Sequence, residues 1–305
     1  MNIKRINKKI YNLWTINKKK IIIILLIILI FIIIFIIFFK KIDNFNNEYK
    51  LPKDIYCYWD KPNNKLIEAH INTWTRNIPK DWTIHFITKK NILTYVDIDF
   101  YNKFKNLPSF RFSDFLRLYL LQKNGGVWMD SSTIMINGNF LDNYWNEMNN
   151  KKSDILLYEF YDHSLPGNPY LENWFFMAPK NSPFITDVYN EFEKAYDMDF
   201  LEYKKKVLIP NINLENTIGY DEDNTYHLQH AIIQYLLKKN KYSMNIKDAN
   251  EIFFKVQKIT GWNSKKMIEY ILNNDLKDIY AIKLVKTNRN GIKDENEFIE
   301  RLNNI

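Results

Sequence analysis

Residues 21–39 read IIIILLIILIFIIIFIIFF, nineteen apolar residues without one polar interruption. A buried core helix is one reading, but such a helix would rarely lack every polar residue. At about 1.5 Å per residue a helix of this length spans roughly 28 Å, close to the hydrocarbon core of a bilayer. A cleaved signal peptide is the competing reading, but its apolar region is usually shorter and no small-residue cleavage site follows Phe39. The expectation is one uncleaved N-terminal transmembrane helix. Lys4, Arg5, Lys8, Lys9, Lys18, Lys19 and Lys20 precede it, with no acid among them. The following Lys40, Lys41, Lys50 and Lys53 are diluted by Asp43 and Glu48. The positive-inside bias therefore predicts a type II layout: a basic cytosolic tail at 1–20, an anchor at 21–39, a stem at 40–50 and one catalytic-sized domain at 51–305. That orientation faces the domain to an ER or Golgi lumen. A cytosol-facing domain on a viral or bacterial membrane is the alternative.

The same tail accounts for the basic balance. The formal net charge is +8, and the basic side chains named before the anchor supply nearly all of it. A nucleic-acid footprint needs a basic face on the folded body, and this body has no excess charge to build one. Cys57 is the single cysteine, which excludes intrachain disulfides and Cys-based zinc sites. No phosphate-binding loop, dinucleotide glycine fingerprint or HExxH is present, which argues against kinase-like, dehydrogenase and zinc-protease chemistry.

From Leu51 onward strand and helix periods alternate. Strands are predicted at 54–59, 83–87, 127–129, 155–158 and 174–177. Helices are predicted at 65–75, 109–123 (with Ser109 as N-cap) and 182–197. This order predicts an α/β fold with a mostly parallel central sheet covered on both faces.

Chemistry concentrates in SDFLRLYLLQKNGGVWMDSST, residues 113–133. Ser113, Asp114 and Arg117 share one helix face by their spacing, while Phe112, Phe115, Leu116, Tyr119 and Leu120 form a core stripe. Asn124-Gly125-Gly126 stops the helix and lets the backbone approach whatever binds there. Asp130 follows a short buried strand, at the carboxyl end where open α/β sheets bind ligands. A carboxylate, a guanidinium and small hydroxyls suit a metal-bridged diphosphate, since Mg²⁺ and Mn²⁺ bind through one or two carboxylates plus phosphate oxygens. An ordinary Asp114–Arg117 surface pair with a turn-capping Asp130 is the other reading of the same residues. Outside the segment, His227 and His230 share a helix face, as metal ligands or as structural histidines. Trp262, Asn263 and Ser264 form either a loop closing on a ligand or a core Trp with a turn. Asn173 precedes a strand and suits a ligand contact. Glu159, Asp162 and His163 suit either an acceptor-facing or a solvated loop.

The 113–133 segment resembles the signature of the capsular-polysaccharide-synthesis glycosyltransferases, relatives of the fungal Golgi mannosyltransferases and, more distantly, of the glucosylating toxins. IYCYWD, INTWTRNIPKDWTIHFIT, ENWFFMAPKNSPFI and KITGWNSK resemble further family segments in order, covering roughly residues 51–265. The resemblance implies a GT-A-like nucleotide-sugar-binding domain that uses a divalent metal, Mn²⁺ rather than Mg²⁺. Carried over by motif, Trp59 stacks on the base, while Asp114 and Arg117 hold the donor's sugar or ribose and its phosphates. Asp130 belongs to the metal and diphosphate site. Ser132, two residues on, and His230, by its helix-face position, are the other expected metal ligands. Ser113, Gly126, Asn173, Trp262, Asn263 and Ser264 are the remaining expected substrate contacts. The implied reaction retains anomeric configuration and moves a sugar from a UDP- or GDP-linked donor to a hydroxyl of a glycan, glycolipid or glycoprotein. Where many relatives carry a second Asp, this chain has Ser132, which should weaken metal binding. A sugar-nucleotide-binding or scaffolding protein that kept the fold and lost turnover is the alternative.

Overall fold

The computed structural model describes residues 49–61, 63–215 and 223–305, together with Leu29, Ile32 and Ile33. The chain divides into two units, Met1–Glu48 and Tyr49–Ile305. The expected tail, nearly all of the expected anchor and most of the stem lie outside the described residues. Among the described residues no helix is long and apolar enough to cross a membrane. Tyr49 already belongs to the second unit, donating its hydroxyl to the Ser153 carbonyl at 3.0 Å.

That unit is built on a six-stranded sheet of order β2-β1-β3-β6-β5-β7. The strands are β1 (Asp54–Tyr58), β2 (Thr83–Ile87), β3 (Gly126–Met129), β5 (Ile155–Glu159), β6 (Leu171–Ala178) and β7 (Met244–Asp248). β1 pairs in parallel with β2 and β3, and β5 in parallel with β7. β6 runs antiparallel to both of its neighbours, β3 and β5. The sheet is thus mostly parallel, as the alternating pattern predicts, with one reversed strand that the pattern does not reveal.

The pleat sorts the strand side chains. Tyr56, Tyr58 and Trp128 pack into the core under the helices Ser109–Asn124, Pro183–Met198 and Leu228–Lys239. Ile55, Cys57, Val127 and Met129 alternate to the other face, under Lys65–Asn77 and Phe140–Lys151. Both faces are covered, which is why the strands read as nearly continuous apolar runs. A smaller antiparallel pair, β4 (Thr133–Met135) with β8 (Ala281–Lys283), sets Thr133 opposite Lys283. Its outer side packs with the Ser264–Asn273 and Glu295–Asn303 helices, which draws the C-terminal part of the chain against the end of β3.

The Ser109–Asn124 helix corrects one expectation. Pro108, at φ −52°, is its N-cap, and Ser109 is the first helical residue. The helix is also buried on more than a stripe, because Arg111, Asp114 and Arg117 are enclosed along with the apolar residues. Three ionisable groups inside a helix interior demand partners, and those partners define the site.

Candidate active site

β1 and β3 are parallel neighbours, so their carboxyl ends lie on one rim of the sheet. A cavity of about 680 Å³ opens there, within the usual size of a small-molecule site. Trp59 enters it from the end of β1, and Asp130 and Ser132 from the end of β3. Ser113, Asp114 and Arg117 come from the helix between, Asn173 from β6 and His230 from the Leu228–Lys239 helix. These expected residues share one hollow.

Arg117 is the hub. It donates to the Asn173 carbonyl at 2.8 Å and to Gln229 Oε1 at 3.3 Å, and it lies 3.4 Å from Asp114 Oδ1 and 3.6 Å from Asp130 Oδ1. Its guanidinium also sits over the Trp128 ring. Asp114 is shared, since Arg111 donates to its other oxygen at 3.0 Å. Asn173 donates to Gln229 Oε1 at 2.7 Å and completes the network. Burial dominates at Asp114 and raises its carboxyl above the ordinary range despite Arg117 and Arg111. Burial pushes Asp130 the same way, but there Lys283 and Arg117 outweigh it and hold the carboxyl below its usual value. Asp130 is therefore a carboxylate at neutral pH.

Other expected contacts fall elsewhere. Gly126 lies at the opposite end of β3 from the cavity: a Cβ there would meet the Asp54 carbonyl oxygen at 2.6 Å, with φ at +103°. It is a close-packing glycine, not a substrate contact. Trp262 packs its ring on Phe160 and Phe254, and Asn263 caps the Ser264–Asn273 helix by accepting from the Lys266 N–H. None of Trp262, Asn263 and Ser264 lines the cavity. The late segment that does is 283–289, which contributes Lys283, Lys286 and Arg289. Tyr226 and Phe110, paired at 5.3 Å, also line it. In sequence these residues carry only diffuse signals, a lysine in a short strand and an arginine in a short helix.

Lys283 is the unforeseen centre. Its ammonium donates to Asp130 Oδ2 at 3.0 Å and to the Ser132 hydroxyl at 2.6 Å, and its side chain is 7% exposed. It occupies the place between Asp130 and Ser132 where a divalent ion was expected. Such an ion needs several oxygen ligands, and here both side-chain donors already hold a cation. The third expected ligand, His230, points Nε2 at Glu172 Oε2, 3.8 Å away. Among the described residues no group of three or more His, Cys, Asp or Glu could hold a metal ion. This donor set does not fit a resident Mn²⁺ or Mg²⁺.

The remaining charges suit an anion. Five cations, Lys61, Arg117, Lys283, Lys286 and Arg289, line the cavity against three carboxylates, Asp60, Asp114 and Asp130. Arg289 lies 5.6 Å above the Trp59 ring, so a base stacking on Trp59 would meet or displace that guanidinium.

Residues 9–301 match the family described as capsular polysaccharide synthesis protein. This chain belongs to that family. It is the family whose signature the 113–133 segment resembles. The O-glycosyltransferase braB of Annulohypoxylon truncatum is 26% identical over 160 residues, 48% of this chain and 38% of that protein. The chain thus spans less than half the length of that relative. Among solved structures, the glycosyltransferase GlyE of Streptococcus pneumoniae TIGR4 aligns with 83% of this chain and 60% of its own, at 10% identity and a TM-score of 0.47. A glycosyltransferase involved in the glycosylation of the major capsid of PBCV-1 aligns with 82% of this chain and 98% of its own, at 9% identity and a TM-score of 0.40.

Proposed function

We propose that the chain is a membrane-anchored glycosyltransferase of polysaccharide or glycan synthesis, transferring a sugar from a UDP- or GDP-linked donor to an acceptor hydroxyl. The observation that supports this most is the joining of Asp114, Arg117 and Asp130 in one cation-rich cavity at the carboxyl rim of the sheet. In the reaction the bond from the anomeric carbon to the diphosphate breaks, its electron pair passing to the leaving oxygen. A bond from the acceptor oxygen to that carbon forms, and the acceptor's proton is released. Negative charge grows on the leaving diphosphate, and fixed cations with no water to reorganise are worth most at that point. Arg117 is pre-aimed by four polar partners from three elements, so it can meet that charge without first ordering itself.

Retention of anomeric configuration, a glycan, glycolipid or glycoprotein acceptor and a lumen-facing type II orientation complete the reading. The family resemblance supports the first two, and the basic flank of residues 21–39 supports the third. A panel of UDP- and GDP-sugars, assayed for transfer and for donor hydrolysis with wild type and Asp130→Ala, tests the proposal. Turnover of one donor that Asp130→Ala abolishes supports it. Donor binding with no turnover on any acceptor would leave a binding protein instead.

A further inference from the structure

The ammonium of Lys283 stands between the carboxylate and the hydroxyl at the end of β3, and the fold puts it there deliberately. Lys283 is in β8, directly opposite Thr133 of β4, so the ladder that continues from Ser132 sets the lysine beside it. The Leu284 N–H donates to the Ser132 carbonyl at 2.9 Å, and the Lys283 N–H to the Phe253 carbonyl at 3.0 Å. Gln257 donates to the Lys283 carbonyl at 2.6 Å. Backbone position is therefore fixed on both sides, and the side chain has little freedom to leave.

An ammonium carries three N–H donors. Asp130 and Ser132 take two, which leaves one for a ligand oxygen in the cavity that Lys283 lines. Two further observations point the same way. Arg117 Nε is buried without a partner, while Nη1 donates to Asn173 and Gln229 and Nη2 donates only to the Ser113 hydroxyl, at 3.5 Å. Arg289 lines the same cavity and makes no ion pair with any described residue. A buried donor such as Arg117 Nε is costly to leave unpaired, and an oxygen-rich anion is the ligand that would draw on Arg117, Lys283 and the unpaired Arg289 charge together.

We propose that Lys283 takes the place of the divalent cation: the donor's diphosphate is held by Lys283, Arg117 and Arg289, and the transfer runs without a metal. This rests on the glycosyltransferase reading and deepens it. The reaction balances as before, the leaving diphosphate's new charge being met by fixed cations, with no co-reactant needed. Ser132 follows from the same arrangement. A hydroxyl accepts from the ammonium without adding charge, whereas a second carboxylate there would over-neutralise the lysine and compete with the diphosphate for it.

The test is calorimetric titration of the full chain in detergent with UDP and with GDP, each in EDTA and in MnCl₂. The expected result is that whichever nucleotide binds does so with an affinity that EDTA and Mn²⁺ change by less than about threefold, too little for loss of a charged contact. Lys283→Met should weaken metal-free binding by about thirtyfold or more, the order expected when a buried charge-assisted contact is lost. Lys283→Ala combined with Ser132→Asp should bind only when Mn²⁺ is present, because the vacated place then has two carboxylates. Wild-type binding that EDTA removes and Mn²⁺ restores would overturn the proposal and leave the glycosyltransferase reading standing. Failure of both nucleotides to bind under either condition would overturn the two together. The wild-type comparison needs no variant, so a misfolded substitution cannot decide the outcome.

Discussion

His70 holds the turn that carries Asp130, and burial keeps it neutral there. It is fully enclosed, its Nδ1 lies 3.2 Å from the Ser131 carbonyl, and its Nε2 has no partner. The carbonyl can only accept, so Nδ1 carries the proton and donates. Burial pushes the imidazole down to about 3, against the pull of Ser131 and with Arg289 and Lys283 adding to the depression. In the unfolded chain it titrates near 6.5. Between those values the unfolded state binds the proton and the folded state does not, so stability is full above pH 6.5 and falls as the pH falls. From pH 7 to pH 5 the loss from this residue alone is about 2 kcal/mol, out of a total that for a typical domain is about 5–15 kcal/mol. His230, pushed down to about 4 by burial, adds a similar loss. Its neighbour Glu172, raised to about 7 by burial and eased by Lys283, works oppositely, because the folded state takes up its proton first. Substituting His70 alone isolates its share of the slope. His70→Gln keeps a donor for Ser131 and removes the titration. Urea unfolding of both proteins at pH 7, 6 and 5 measures the difference. Wild type should lose about 2 kcal/mol more than His70→Gln across that range. Parallel curves for the two proteins would refute a buried neutral His70.

Two further substitutions separate packing from binding. Gly126→Ala forces a Cβ to 2.6 Å from the Asp54 carbonyl oxygen at a φ few side chains adopt, and should lower stability by about 2 kcal/mol or more in urea titration. The molecules that still fold should bind nucleotide with unchanged affinity by calorimetry. Trp262→Ala removes a ring packed on Phe160 and Phe254, outside the cavity, so it should lower the melting temperature and leave the nucleotide Kd as it was.

What the sequence makes legible follows its range. Ser113, Asp114 and Arg117 converge because helical spacing puts them together, and Asp130 follows because a short apolar strand after a Gly-Gly stop has one place to end. The parallel strands announce themselves by alternation with helices. The reversed β6 does not, since an apolar run of that length carries no sign of direction. Lys283 lies 153 residues from Asp130 in sequence, and only the β4–β8 register joins them. No local pattern encodes that pairing. The late loop shows the converse failure. An aromatic beside Gly261 has the same local sequence whether it grips a ligand or leans on neighbouring rings, and here Trp262 lies half-exposed against Phe160 and Phe254, away from the cavity.

If the cavity holds a diphosphate without a metal, as proposed, the carboxylate of Asp130 needs its own explanation. Lys283 and Arg117 approach Asp130 from two sides, at 3.0 and 3.6 Å, and both side chains are nearly enclosed. Without a charge between them, two buried cations would repel, and burial would favour a neutral lysine. Burial does depress the Lys283 ammonium, and Asp130 is the first group opposing it. Asp130 is thus the counter-charge that keeps the two cations together and protonated. The Trp128 indole N–H, donating to its Oδ1 at 3.0 Å, fixes its direction. On this account Asp130→Ala abolishes turnover by scattering Lys283 and Arg117 rather than by releasing an ion. Its loss of activity therefore carries no information about metal dependence, which only the response of nucleotide affinity to EDTA and to position 283 can resolve.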